Sequence, residues 1–114
     1  MSFLPLALAT ALSFTAPNGL TVMQTGAETF SVPYQSQSGP AAFWCAAGAH
    51  VVHDLGKAPS TRIWRASALP RRSGQGMDFA LTPVAGAKTG LVLLGSDDGS
   101  LSALHALTLC YGLR

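Results

Sequence analysis

Apolar positions between residues 41 and 55 recur with the period of an α-helix. Trp44, Cys45, Gly48, Val51, Val52 and Leu55 fall on one stripe. His50, His53, Asp54 and Lys57 fall on the opposite face, which predicts a solvated polar side. The boundary signals agree with this span. Ser38 or Gly39 can cap the start, Pro40 suits the first turn, and Gly56 followed by Pro59 gives a stop. Gly48 costs such a helix about 1 kcal/mol relative to Ala. That cost predicts the close approach of a strand at this position.

Elsewhere the pattern has period two. Residues 20–24 alternate, and so do Phe30, Val32 and Tyr34, with Pro33 weakening the second run. The turn-forming residues 25–28 between them predict a β-hairpin. Residues 61–68 are β-capable, and 69–76 read as a loop or wide hairpin connection. Met77, Phe79 and Leu81 alternate with Asp78, Ala80 and Thr82 until Pro83, as a half-buried strand should. Residues 84–90 form a small-residue loop, 91–94 a short apolar strand and 96–100 a turn. Residues 101–111 satisfy both the strand and the helix period, and the sequence leaves the choice open. The order is one hairpin, one helix and then about four strands. The economical α+β arrangement is one central amphipathic helix on an antiparallel sheet of about five to six strands.

Length and composition fit that picture. The 114 residues suffice for one domain, with 48% hydrophobic and 11% charged residues. Soluble domains average about a quarter charged, and so few charges with so many hydrophobes argue against disorder. The net charge of +2 excludes a strongly basic nucleic-acid binder. The first 13 residues carry an apolar run of signal-peptide character, shorter than the roughly 20 residues a membrane-spanning helix needs. No Lys or Arg precedes it. No cysteine follows it closely, so lipoprotein anchoring is not indicated. The expected organisation is a signal-like segment at 1–13, a linker at 14–19 and a single domain at 20–114. The expected location is periplasmic or secreted, with no transmembrane span.

Two cysteines change the picture most. Cys45 lies on the apolar helical stripe and Cys110 near the chain end. In an oxidising compartment two such thiols are expected to pair. Closing a loop of about 65 residues stabilises by roughly 4 kcal/mol in the chain-entropy model.

Other chemistry is thinner. Gln35 and Gln37, Cys45 near a helix start and His105 downstream occur in the order Gln, Cys, His. That order resembles papain-like cysteine peptidases, including the bacteriocin-processing type. The resemblance implies a Cys45 nucleophile, with His105 as its base and a Gln donor to the oxyanion. It covers about 25 residues in two pieces, and no Asn, Asp or Glu follows His105 to orient its ring. His50 and His53 stand three apart beside Asp54, but two ligands do not make a metal site and no His-Glu-x-x-His occurs. No phosphate-binding loop, calcium loop, helix-turn-helix or zinc finger is present, and no cofactor is implied.

One stretch is basic and free of acids. Lys57, Arg62, Arg65, Arg71 and Arg72 enclose Trp64. Such a stretch suits an anionic partner or a protein surface, since Arg and Trp are enriched at binding hot spots. The sequence therefore predicts a non-catalytic binding or accessory domain. Its proposed contact residues are Arg62, Trp64, Arg65, Arg71 and Arg72. A papain-like hydrolase using Cys45 and His105 is the alternative.

Overall fold

A computed structural model describes residues 13–35, 39–67, 74–84, 88–91 and 95–111. Six strands form one sheet: β1 (Ser13–Thr15), β2 (Thr21–Gln24), β3 (Thr29–Val32), β4 (Arg62–Arg65), β5 (Met77–Ala80) and β6 (Ser100–Ser102). Their spatial order is β1-β2-β3-β5-β4-β6, and every neighbouring pair is antiparallel. Helix α1 (Pro40–Ala49) continues into a π-helical turn over His50–Asp54, and a short helix α2 (Ala103–Thr108) follows β6 directly. The expected α+β class is borne out. So is the bond between Cys45 and Cys110, whose Cα atoms are 4.9 Å apart.

The alternation read in the sequence decides which side chains meet the helix. Val22, Phe30, Val32, Ile63, Met77, Phe79 and Leu101 are buried on one face of the sheet. Trp44 of α1 meets Phe79 edge-on at 4.9 Å, and Phe79 stacks on Phe30 at 5.6 Å. Burying each such aromatic or aliphatic side chain stabilises by about 1.5–3 kcal/mol.

Helix α1 starts as its residues dictate. Gly39 takes the capping position, where it has no side chain to hydrogen-bond, and Pro40 opens the first turn. Gly56 stops the element with φ of 68°, a conformation that favours glycine. Between these points the helix is less amphipathic than its stripe suggests. Every residue from Phe43 to Val51 is buried. The sheet covers one side, and α2 covers another through Ala103 and Ala106. The alanines 46, 47 and 49 make this double coverage possible, because their small side chains let both layers come close.

Gly48 does mark a close approach, but of a helix and not a strand. A Cβ there would lie 2.5 Å from the Leu107 backbone nitrogen and 2.9 Å from the Ala103 carbonyl oxygen. Residues 101–111 resolve into both of the periods they satisfied. Strand β6 ends at Ser102, whose hydroxyl accepts from the His105 N–H at 3.1 Å and caps α2.

Two further expectations change. Residues 14–19, read as a linker, carry most of β1, and Ala16 is buried. The Ala16 N–H donates to the Leu20 carbonyl at 2.8 Å and the Gly19 N–H returns to Ala16 at 2.9 Å, closing a tight β1–β2 turn. His50, expected on a solvated face, is 1% exposed. In the strand expected at 91–94, Leu91 is not part of a strand and residues 92–94 lie outside the described residues.

Candidate functional site

The face of the sheet turned away from α1 holds two of the five residues that the sequence selects for binding, Arg62 and Trp64. In β4, Ile63 and Arg65 point to the core side, while Arg62 and Trp64 occupy the opposite face. The register sets Trp64 opposite Ala80 of β5 and Ser100 of β6. Both of these small residues are 3% exposed although they sit on the outer face, while Trp64 remains half-buried. The other outward positions are mostly hydroxyl-bearing: Ser13, Thr15, Thr21, Thr29, Ser31 and Ser102.

Arg62 is held in place on this face. Its Nη2 donates to the Ser100 hydroxyl at 2.7 Å and to the Ser100 carbonyl at 3.3 Å. The Ser100 hydroxyl in turn donates to Asp98 Oδ1 at 2.7 Å, and the Ser100 N–H reaches the same oxygen at 2.9 Å. The Ser100 hydroxyl is the main reason the Asp98 carboxyl lies below its ordinary pKa. The Ser100 N–H and the Arg62 charge add to it. An exposed arginine with its guanidinium fixed in this way needs little ordering before it meets a partner.

The five expected contact residues are not brought together. Arg62 and Trp64 share the outer face. Arg65 does not: it is 1% exposed, on the core side, with its Nε donating to the Ser67 hydroxyl at 3.3 Å. The strand alternation explains this, since a residue three positions from Arg62 must face the other way. Arg71 and Arg72 lie outside the described residues.

The residues of the peptidase-like order are engaged elsewhere. Cys45 is 1% exposed and bonded to Cys110, so its sulfur is not available as a thiolate in this form. His105 is an exposed residue of α2. The Gln35 side chain accepts from the Thr21 N–H at 3.2 Å, tying the exit of β3 to β2. Gln37 lies outside the described residues. Among the described residues no group of three or more His, Cys, Asp or Glu side chains could hold a metal ion. No described helix is long and apolar enough to cross a membrane.

Two polar clusters escape a reading by spacing alone, because each joins segments distant in sequence. One links Gln24, His50 and Asp54. The other links Asp97 to Thr89, and Thr89 to Trp44. Only the Asp97-Asp98-Gly99 run, with its turn-forming acids, hinted at the second.

No family model matches the chain, and no curated protein or solved structure matches it either.

Proposed function

We propose that this protein is a small non-catalytic binding or accessory domain that works outside the cytosol, in the periplasm or as a secreted protein. The Cys45–Cys110 bond is the observation that carries the reading. Disulfides persist in oxidising compartments and are rare in the cytosol. The apolar signal-like character of residues 1–13 is consistent with export. With Cys45 committed to a structural bond, the hydrolase alternative lacks its nucleophile.

The surface offered to a partner is the outer face around Arg62 and Trp64, extended in sequence by Arg71 and Arg72. Trp and Arg supply large contact area and forked hydrogen-bond donors, the chemistry of many hot spots. The partner is an anionic group or a protein surface carrying acids.

Two measurements test this. Protein purified from its native source under thiol alkylation should have both cysteines protected until reductant is added, and its N-terminal residue should lie beyond the apolar run. A free, rapidly alkylated Cys45 would return the hydrolase reading. Reversing charge with Arg71→Glu and Arg72→Glu, together with Trp64→Ala, should weaken capture of a partner without lowering the melting temperature much. Unchanged capture would remove this face from consideration.

A further inference from the structure

His50 sits where α1 widens into its π-helical turn, an irregularity often found at functional positions. Its ring lies between Phe14 of β1 and Phe30 of β3, with centroids 5.6 and 4.8 Å away. Its Nε2 is 2.7 Å from Gln24 Oε1. The Gln24 amide is oriented by its own Nε2, which donates to the Gly26 carbonyl at 2.8 Å. Oε1 is therefore the acceptor, and the imidazole Nε2 carries the hydrogen in either charge state.

That assignment leaves Nδ1 as the titrating atom. It is buried, makes no hydrogen bond, and faces Asp54 Oδ2 at 3.1 Å. In the neutral ring two acceptors oppose each other across this gap. A proton from solvent, landing on Nδ1, would supply the missing donor. The same proton would place a cation between two phenyl rings in the core, where charge is costly without water.

We propose that His50, with Gln24 and Asp54, is a proton-operated latch that holds the edge strand β1 against the domain while the ring is neutral and loosens it when Nδ1 is protonated. Water must reach the imidazolium, and the two sides of the sandwich differ in how readily they yield. Phe30 is 1% exposed and stacked on Phe79 in a central strand. Phe14 is half-buried on a three-residue strand that pairs only with β2 among the described strands. Short edge elements open at lower free energy than the core. The β1 side is therefore where the ring gains its water.

The groups around the ring leave Asp54 as its one charged neighbour among the described residues. Strand β1 presents Phe14, β2 presents Gln24 and β3 presents Phe30. His53, on the same turn, is exposed. So is His105, the titratable side chain of α2, which packs on this turn. Burial lowers the His50 pKa below 6.5, while the Asp54 charge and its contact pull it back up. With the folded value below the unfolded one, the contribution of His50 to stability is complete above 6.5 and declines as pH falls toward the folded value.

Nuclear magnetic resonance on the full chain tests the latch across pH. At neutral pH the His50 ring should carry its hydrogen on Nε2, and its titration midpoint should lie below 6.5. Amide exchange in Ser13–Thr15, corrected for its intrinsic pH dependence, should accelerate with that same midpoint, while β3 and β5 stay protected. The exposed-site variant Asp54→Asn should lower the midpoint further and shift β1 release with it. His50→Phe should make β1 protection independent of pH. If that variant does not fold, Asp54→Asn still decides. An Nδ1–H tautomer, a midpoint at or above 6.5, β1 exchange indifferent to His50 titration, or an unmoved midpoint in Asp54→Asn would each overturn the latch.

Discussion

The indole Nε1 of Trp44 donates to the backbone carbonyl of Thr89 at 2.8 Å, joining the core helix to a loop 45 residues further along the chain. Trp44 is fully buried, so its N–H needs this partner. Thr89 is itself buried and is fixed by Asp97. Asp97 accepts from the Thr89 hydroxyl at 2.8 Å, from the Thr89 N–H at 3.1 Å and from the Gly99 N–H at 2.9 Å. One carboxylate thus positions the acceptor for the largest side chain in the core.

Replacing that carboxylate should unsettle the tryptophan without touching it. Asp97→Ala removes three hydrogen bonds, and leaving buried donors unpaired costs about 1–3 kcal/mol. Near-ultraviolet circular dichroism and the Trp44 fluorescence should change together with urea stability. The pH dependence has a defined sign. Burial pushes the Asp97 carboxyl up, but the Gly99 N–H and the two Thr89 donors outweigh it and hold the pKa below 3.8. The contribution is therefore present above 3.8 and is lost as pH falls through the lower folded value. The stability gap between the wild type and Asp97→Asn should narrow on acidification in that range. A gap that stays constant would mean that Asp97 acts through packing and not through its charge.

Gly48 separates helix propensity from packing. Alanine at this position gains about 1 kcal/mol of intrinsic helix stability. Its Cβ would stand 2.5 Å from the Leu107 nitrogen and 2.9 Å from the Ala106 carbonyl carbon, both backbone atoms that cannot swing aside. Overpacking of this kind costs typically about 1–3 kcal/mol. We therefore expect Gly48→Ala to lower the urea midpoint and Gly48→Val to lower it further. A more stable Gly48→Ala would show that α2 shifts away at no cost.

Much of this fold was legible because local pattern and burial agree in β2, β3 and β5. Phe30, Val32, Met77 and Phe79 alternate in sequence and are buried accordingly. Arg65 was not legible in the same way. Its charge suggests a surface, but its place in the β4 alternation puts it inside, and the alternation prevailed. Periodicity misplaces His50 for a related reason: the stripe that includes Gly48 meets α2, and the side that carries His50 is turned to the sheet, where Phe14, Gln24 and Phe30 cover the ring. The ends of α2 were ambiguous because Leu101, Ala103, Ala106 and Leu107 satisfy both periods. Ser102 settles the matter as a helix cap, a contact of hydroxyl and amide that composition does not display. Within the proposed contact surface, the pairing of Arg62 with Ser100 depends on the β4–β6 register, which joins positions 38 residues apart and leaves no local trace.

The disulfide supports the final prediction. Cys45 lies in α1, and Cys110 lies just beyond α2, held by an N–H bond to the Leu107 carbonyl at 3.0 Å. The link encloses half of the six strands, since β4, β5 and β6 lie between residues 45 and 110. Reduction, or the double variant Cys45→Ala and Cys110→Ala, should cost up to roughly 4 kcal/mol by the loop-entropy argument. That is a large fraction of the total of about 5–15 kcal/mol available to a typical domain. The loss should fall unevenly. Helix α2 has six residues, too few to persist alone, and its fully buried side chains are the two small ones of Ala103 and Ala106, with Leu107 partly buried beside them. Its amides should lose exchange protection before those of β3 and β5 do. If α2 stays as protected as the central strands after reduction, its attachment to Gly48 is sufficient by itself and the covalent bond is not what keeps the chain end in place.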